Sequence, residues 1–296
     1  MPERDGYIPG VPCWVDTSQP DPQAAVAFYS ELFGWECENV STSEAEPPYF
    51  IARIRGGDVA AVTSIAPGAP AVASWNTYVW VENAEETARR VSSAGGTCLA
   101  EPFDVGDAGR MAVFADPEGA LFSVWQPGRH RGAQIVNEAG ALNFNGLDTR
   151  DPERAREFYG AVFGWETLPI GGGVEMWTLP GYGDHLERDR PAIRQEMAAV
   201  GAPAGFADVV ASMSPIPDGQ DRVPARWSVT FAVDDADAIA AKASELGGTV
   251  VVPPSDAPWV RMTVLADPGG AILTASKFVP ANREALAAEP TPAPAA

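Results

Sequence analysis

Apolar residues recur along this chain in two rhythms, and the order of the rhythms itself repeats. A short strand-like run at Val11–Asp16 gives way to Ala25, Phe28 and Leu32, spaced as one stripe of a helix. Asp21-Pro22 opens that helix, with Asp as N-cap and Pro at the first helical position, where its missing N–H costs nothing. Gly34 can close it in a left-handed cap. Three strand-like runs follow near Trp35–Asn39, Tyr49–Arg53 and Val59–Ile65. The plan then returns: a strand at Thr77–Val81, a helix at Ala84–Ala94, and strands near Thr97–Phe103, Arg110–Phe114 and Ala120–Gln126. The pattern predicts βαβββ twice. The second half matches, with a strand at Leu142–Leu147 and a helix opened by Asp151-Pro152 that carries Ala155, Phe158 and Val162 on one face. Strand Trp227–Val233 leads into a helix with Ile239, Ala243 and Leu246 aligned. Strands near Thr249–Val252, Val260–Leu265 and Ala271–Lys277 complete it.

Short motifs repeat in the same order. Phe28-Tyr29 followed by Phe33-Gly34-Trp35-Glu36 returns as Phe158-Tyr159 and Phe163-Gly164-Trp165-Glu166. Gly95-Gly96-Thr97 returns as Gly247-Gly248-Thr249, and Asp116-Pro117-x-Gly119-Ala120 as Asp267-Pro268-x-Gly270-Ala271. Ordered self-similarity of this kind fixes the architecture before any propensity is consulted. It divides the chain into a first domain at 1–132, a linker at 133–140 within a connecting stretch that begins at Gly128, and a second domain at 141–280. The Ala/Pro/Glu tail at 281–296 has nothing to bury and is expected to be disordered. Tyr29 and Tyr159 are 130 residues apart and Trp75 and Trp227 are 152 apart, so the second copy carries 22 more residues. They are expected around 181–223, with a helix within Asp184–Val200, as a binding loop or lid or as a tolerated surface insertion.

Forty acidic against twenty basic residues give a formal charge of -20. That disfavours nucleic acid and anionic membrane surfaces as partners, since both need cations on the protein. No run approaches the roughly 20 apolar residues of a membrane span. The polar start at Met1–Asp5 has no apolar stretch behind it, so a cytoplasmic location is expected. Cys13, Cys37 and Cys98 are scattered and lack C-x-x-C spacing, which reads as reduced structural thiols.

Four βαβββ units, the Phe-Tyr helix before Phe-Gly-Trp, and the Asp-Pro-x-Gly turn before the last strand resemble the vicinal-oxygen-chelate superfamily of glyoxalases, bleomycin-resistance proteins and extradiol dioxygenases. Trp75-Asn76-Thr77-Tyr78, Gly106–Met111 and Trp125–His130 are similar to a tandem actinobacterial branch labelled hydroxylase or glyoxalase-like. That branch includes a mycobacterial culture-filtrate antigen and accessory proteins of anthracycline biosynthesis. The resemblance implies an α+β fold of two tandem glyoxalase-like domains. In each, two βαβββ units would curl into a cup-like mixed sheet, with a pocket on the concave face and helices on the convex one.

In catalytic members the cup holds a divalent metal through His, His or Gln, and Glu. Carried onto this chain, those positions fall on Trp14, Asn76 and Ser123 in the first half and on Phe144, Ser228 and Thr274 in the second. An indole and a phenyl ring offer no lone pair to a hard cation, and neutral hydroxyls and amides are weak donors. First-row divalent ions favour imidazole, carboxylate or thiolate. The chain has two histidines, His130 in the linker and His185 in the insertion, and neither lies on an expected cup strand. The expectation is therefore no metal and no cofactor.

An aromatic wall with sparse neutral anchors is instead the profile of a small-molecule pocket. Alternation places Leu121 and Trp125 on the face of Ser123, and Ile272 and Ser276 on the face of Thr274. The candidate ligand-binding set is thus Trp14, Asn76, Ser123, Trp125, Arg110, Phe144, Trp177, Ser228 and Thr274. Arg110 would anchor a carbonyl or an anion, or else pair with Asp107. His185 with Asp184 and Glu187 is the cluster suited to acid–base work; the alternative is a solvated helix face. Four readings follow: metal-free binding of a small, apolar or aromatic metabolite in sequestration, resistance or secondary metabolism; a lyase, isomerase or hydroxylase using the same pocket; a metal-dependent dioxygenase-type enzyme; and a vestigial pocket whose surrounding surface does the work, as in a secreted interaction antigen. A partner enzyme or a homodimer is compatible with each.

Overall fold

A computed structural model describes residues 4–41, 47–66, 68, 71–171, 174–220 and 223–283. The tail expected beyond 281 lies outside them from 284 onward, as do Gly172-Gly173 and residues 221–222 of the expected insertion.

The first half forms one eight-stranded mixed sheet. Its strands are β1 (Pro12–Gln19), β2 (Glu36–Asn39), β3 (Tyr49–Ile54), β4 (Gly57–Ser64), β5 (Ser74–Trp80), β6 (Thr97–Val105), β7 (Gly109–Ala115) and β8 (Leu121–Pro127), in the order β2-β3-β4-β1-β5-β8-β7-β6. The second half repeats it with β9 (Leu142–Thr149), β10 (Glu166–Gly171), β11 (Val174–Thr178), β12 (Val209–Pro215), β13 (Arg226–Ala232), β14 (Thr249–Ala257), β15 (Val260–Ala266) and β16 (Ile272–Phe278). Helices α1 (Pro22–Phe33), α2 (Ala84–Ser93), α3 (Pro152–Phe163) and α6 (Ala236–Glu245) are the four crossovers. Each curved sheet is therefore α+β with helices on one face.

The helices start and stop where the sequence directs. Asp21 and Asp151 accept hydrogen bonds from the N–H of Ala24 and Arg154, and Pro follows each cap. Gly34 and Gly164 end α1 and α3 in the left-handed region at φ 74°.

The extra residues of the second half join β11 to β12. Arg55-Gly56 alone separates β3 from β4, whereas 179–208 separates β11 from β12. The insertion thus ends earlier than 223, because Val209–Pro215 is the missing strand of its unit. Its helical part is two short helices, α4 (Tyr182–Asp189) and α5 (Ile193–Ala199), divided at Arg190-Pro191. Proline cannot donate to the helical ladder and disfavours helical backbone at the residue before it.

The halves interlock through their crossovers: α1 packs on α6, and α2 on α3. The repeated motifs meet there. A Cβ on Gly96 would lie 2.8 Å from the Phe158 ring, and one on Gly248 would lie 3.1 Å from the Phe28 ring. Trp165 donates its indole N–H to Gly10 at 2.8 Å, and Trp35 does the same to Gly140 at 2.8 Å. Around these contacts Tyr29, Trp35, Trp75, Phe33 and Phe231 form one aromatic cluster, and Tyr159, Trp165, Trp177 and Trp227 form another. Among the described residues no helix is long and apolar enough to cross a membrane.

Candidate functional site

The helix-free faces of the two sheets have the same backbone and different contents. In the first, Trp14, Tyr78 and Ser123 stand in register across β1, β5 and β8, and Asp16 is level with Asn76. Asp16 is 3% exposed. Its carboxylate accepts from the Tyr78 hydroxyl at 2.8 Å, the Tyr49 hydroxyl at 3.1 Å and the Asn76 amide at 2.8 Å. Tyr49 in turn accepts from the Trp14 indole at 3.0 Å. Burial pushes the Asp16 carboxyl above the usual carboxylate range, against the pull of those three donors.

His130 enters this cup from the connection after β8. Its ring centroid is 4.3 Å from that of Trp14 and 5.6 Å from that of Trp125, both edge-on. Its Nδ1 is 3.8 Å from Asp58, and its buried Nε2 has no hydrogen-bond partner. Burial lowers its pKa, with Asp58 opposing, so the imidazole is held neutral. His130 lies in the connection and off the cup strands, as expected, yet its ring enters the cup. The connection doubles back across the sheet, with Gly128 and His130 donating to Ala108 and Ala133 donating to Cys13. Trp14, Tyr78, Ser123 and Trp125 are buried with no helix over them, because they and His130 fill the cup.

The second face is open. Phe144, Thr230 and Thr274 stand in one row across β9, β13 and β16, and Ser212, Gly146 and Ser228 in the next. All six are half-buried, and β13 alternates strictly between half-buried and buried positions, the mark of a sheet with one wet face. No residue larger than Thr stands opposite Phe144 in these rows, where the first half has Trp14, Tyr78 and Asp16. Gly146 keeps the floor low: a Cβ there would lie 2.8 Å from the Ser212 hydroxyl and 3.0 Å from that of Ser228. At one end, Arg226 and Asp148 pair at 3.2 Å. Burial still holds the Asp148 carboxyl above its ordinary range, with Arg226 opposing.

Several candidates lie elsewhere. Trp177 is fully buried on the helix side, 5.5 Å from Tyr159 and 5.6 Å from Trp165 between ring centroids. Alternation on β11 puts it on the face of Glu175, which pairs with Arg156 of α3, so its placement in the pocket is corrected. Arg110 binds Asp104 and Glu85 and not Asp107, which pairs with Arg129. The acid–base cluster lies on α4: Arg194 of α5 bridges Asp184 at 2.5 Å and Glu187 at 3.2 Å, and the His185 ring lies parallel to Tyr182. That is an ion-paired helix surface.

Asp16, Tyr49, Tyr78 and Thr230 escaped the reading of the sequence. The signal for Asp16 was present, since alternation puts it on the face of Trp14; a carboxylate two residues from an indole on a strand is a buried group awaiting donors.

The donors do not fit a divalent metal. The positions onto which the resemblance carries the ligands offer indole, phenyl, hydroxyl and amide groups; of the other groups facing the first cup, Asp16 is already bonded by three neutral donors and Asp58, beside His130, is paired with Arg53. Among the described residues no three His, Cys, Asp or Glu side chains converge.

The fold and the two faces define a class: tandem βαβββ cups, one filled and one open. The glyoxalase/bleomycin resistance protein/dioxygenase superfamily model matches residues 14–124, and a glyoxalase-like domain model matches 146–274. The chain belongs to that superfamily. It is 39% identical over 285 residues to the glyoxylase-like protein CFP32 of Mycobacterium tuberculosis, covering 95% of this chain and 99% of the relative. It is 35% identical over 280 residues to the anthracycline biosynthesis protein DnrV of Streptomyces peucetius, covering 90% and 92%. Among solved structures, the Mn(II)-bound glyoxalase from Novosphingobium aromaticivorans superposes with TM-score 0.58 at 14% identity, over 90% of this chain and 82% of that one. The 2,3-dioxygenase LapB from Pseudomonas sp. KL28 gives 0.57 at 11% identity, over 92% and 94%. At such identities the likeness is one of fold.

Proposed function

We propose that this protein binds a small, largely apolar or aromatic metabolite in the open trough of its second half, without a metal. The observation that carries the reading is the contrast between the faces: the first is closed by its own aromatic side chains, and the second presents Phe144 beside neutral hydroxyls to solvent. An aromatic surface with a few hydrogen-bonding groups suits a planar ligand bearing hydroxyl or carbonyl oxygens. Relatives named for anthracycline biosynthesis support a polycyclic aromatic as one such ligand. The trough then serves sequestration, resistance or delivery within secondary metabolism.

The test is titration of naphthols and hydroxyanthraquinones into the protein in excess EDTA, read by quenching of Trp fluorescence. Binding that survives chelation and is lost in Gly146→Leu, whose side chain would fill the trough floor, supports the reading. Binding that needs an added divalent metal, or that is untouched in Gly146→Leu, overturns it.

A further inference from the structure

One end of the open trough differs from the same place in the closed cup. Two residues beyond Gly146 on β9, Asp148 stands level with Ser214 of β12 and Arg226 of β13. The first half has Ser18 there, level with Thr63 of β4 and Ser74 of β5. Three neutral hydroxyls in one copy are matched by a hydroxyl and an ion pair in the other.

Arg226 is only partly used by that pair. Its Nε donates to Asp148 at 3.2 Å, long for a charge-assisted bond. Among the described residues neither of its Nη atoms has a hydrogen-bond or ion-pair partner. The side chain is 39% exposed, and alternation on β13 puts it on the face of Ser228 and Thr230. Arg150, two residues beyond Asp148, is occupied, since it donates to the carbonyls of Gln220 and Val223. In the three rows that run from Arg226 to Phe144, Arg226 is the only cation among the described residues.

A guanidinium bonded through Nε keeps the edge formed by its two Nη atoms free, and that planar fork matches the two oxygens of a carboxylate. Arg226 is four residues from Thr230, the partner of Phe144, or roughly 13 Å along the strand. The trough is thus graded from an aromatic ring, past the hydroxyls of Ser212 and Ser228, to a cation with spare donors.

We infer that Arg226 sets the specificity of the trough and that its ligand is an aromatic carboxylic acid, with the ring system on Phe144 and the carboxylate on the Arg226 fork. This names the ligand class of the site proposed above and rests on the trough being the binding site.

The experiment is fluorescence titration, in excess EDTA, of anthraquinone-2-carboxylate and its neutral isostere anthraquinone-2-carboxamide. Both are titrated into the full chain and into Arg226→Gln and Asp148→Asn. The unaltered protein should bind the carboxylate about tenfold to hundredfold more tightly than the carboxamide, the worth of hydrogen bonds to a charged group. Arg226→Gln should erase that preference while the carboxamide still binds, which also shows that the variant is folded. Asp148→Asn removes a like charge without touching Arg226, and should tighten the carboxylate by about fivefold. Equal affinities in the unaltered protein, a preference kept in Arg226→Gln, or no tightening in Asp148→Asn overturns the assignment and leaves the trough standing. Failure of both ligands to bind the unaltered protein overturns both.

Discussion

Tyr29, in the first half, donates its hydroxyl to Asp267, in the second, at 2.8 Å. Tyr159 returns the contact to Asp116 at 3.0 Å. The residues that repeat in sequence are thus partners across the halves, and each Asp-Pro turn is completed by the helix of the opposite copy. Asp116 also accepts from the N–H of Glu118 and Ala120, and Asp267 from Gln19 and the N–H of Ala271.

This arrangement predicts unequal costs for two equivalent deletions. Tyr29→Phe and Tyr159→Phe each remove a hydrogen bond to a buried carboxylate, worth about 1.5–3 kcal/mol. Tyr159 also accepts from the Trp227 indole at 2.8 Å, so its loss strands a second buried group. Denaturant unfolding should show Tyr159→Phe as the more destabilised. Equal midpoints would contradict the shared role of that hydroxyl.

Gly96 is required by space. A Cβ there would meet the Phe158 ring and Val91, each at 2.8 Å, and the Ala115 carbonyl at 3.0 Å. Gly96→Ala should cost about 1–3 kcal/mol, as overpacking does. Because the halves also share the α1–α6 contact, the two domains should still unfold in one transition, as calorimetry would show.

Buried Asp16 and half-buried His130 in the first cup give opposite pH dependences. Asp16 has its folded pKa raised above 3.8, so the folded state holds the proton more tightly than the unfolded one. Stability then falls as pH rises from 3.8 through the folded value. His130 is lowered from 6.5, so below 6.5 the unfolded state binds the proton more tightly and stability falls as pH drops toward the folded value. Thermal melts of Asp16→Asn should lose the first slope and those of His130→Gln the second. Retention of the acid-side slope in His130→Gln would assign it to another group.

The insertion's charged cluster should be dispensable for binding. Asp184 is largely exposed, and its pair with Arg194 is a surface ion pair screened by solvent. His185→Ala and Asp184→Ala should leave the affinity for hydroxyanthraquinones unchanged in fluorescence titrations. A large loss in His185→Ala would restore the acid–base reading of that cluster.

Sequence alone determined the duplicated βαβββ plan, because helix caps at Asp21 and Asp151, left-handed glycines at 34 and 164 and the apolar rhythms are local properties of the chain. It also determined what stands at the family's metal positions, since residue identity needs no coordinates. Tertiary structure decided what those positions do. Trp14 and Phe144 look equivalent in sequence, yet Trp14 is sealed under His130 while Phe144 faces an open trough. The difference comes from a connection that doubles back across the sheet in the first half only, and such a long-range closure leaves no periodic trace. Trp177 shows the same limit: a Trp on a strand can face either side, and only the pairing of its neighbour Glu175 with Arg156 fixes which. That the repeated motifs bind each other across the halves was likewise invisible, because duplication reports that two copies exist and not which surfaces they bury.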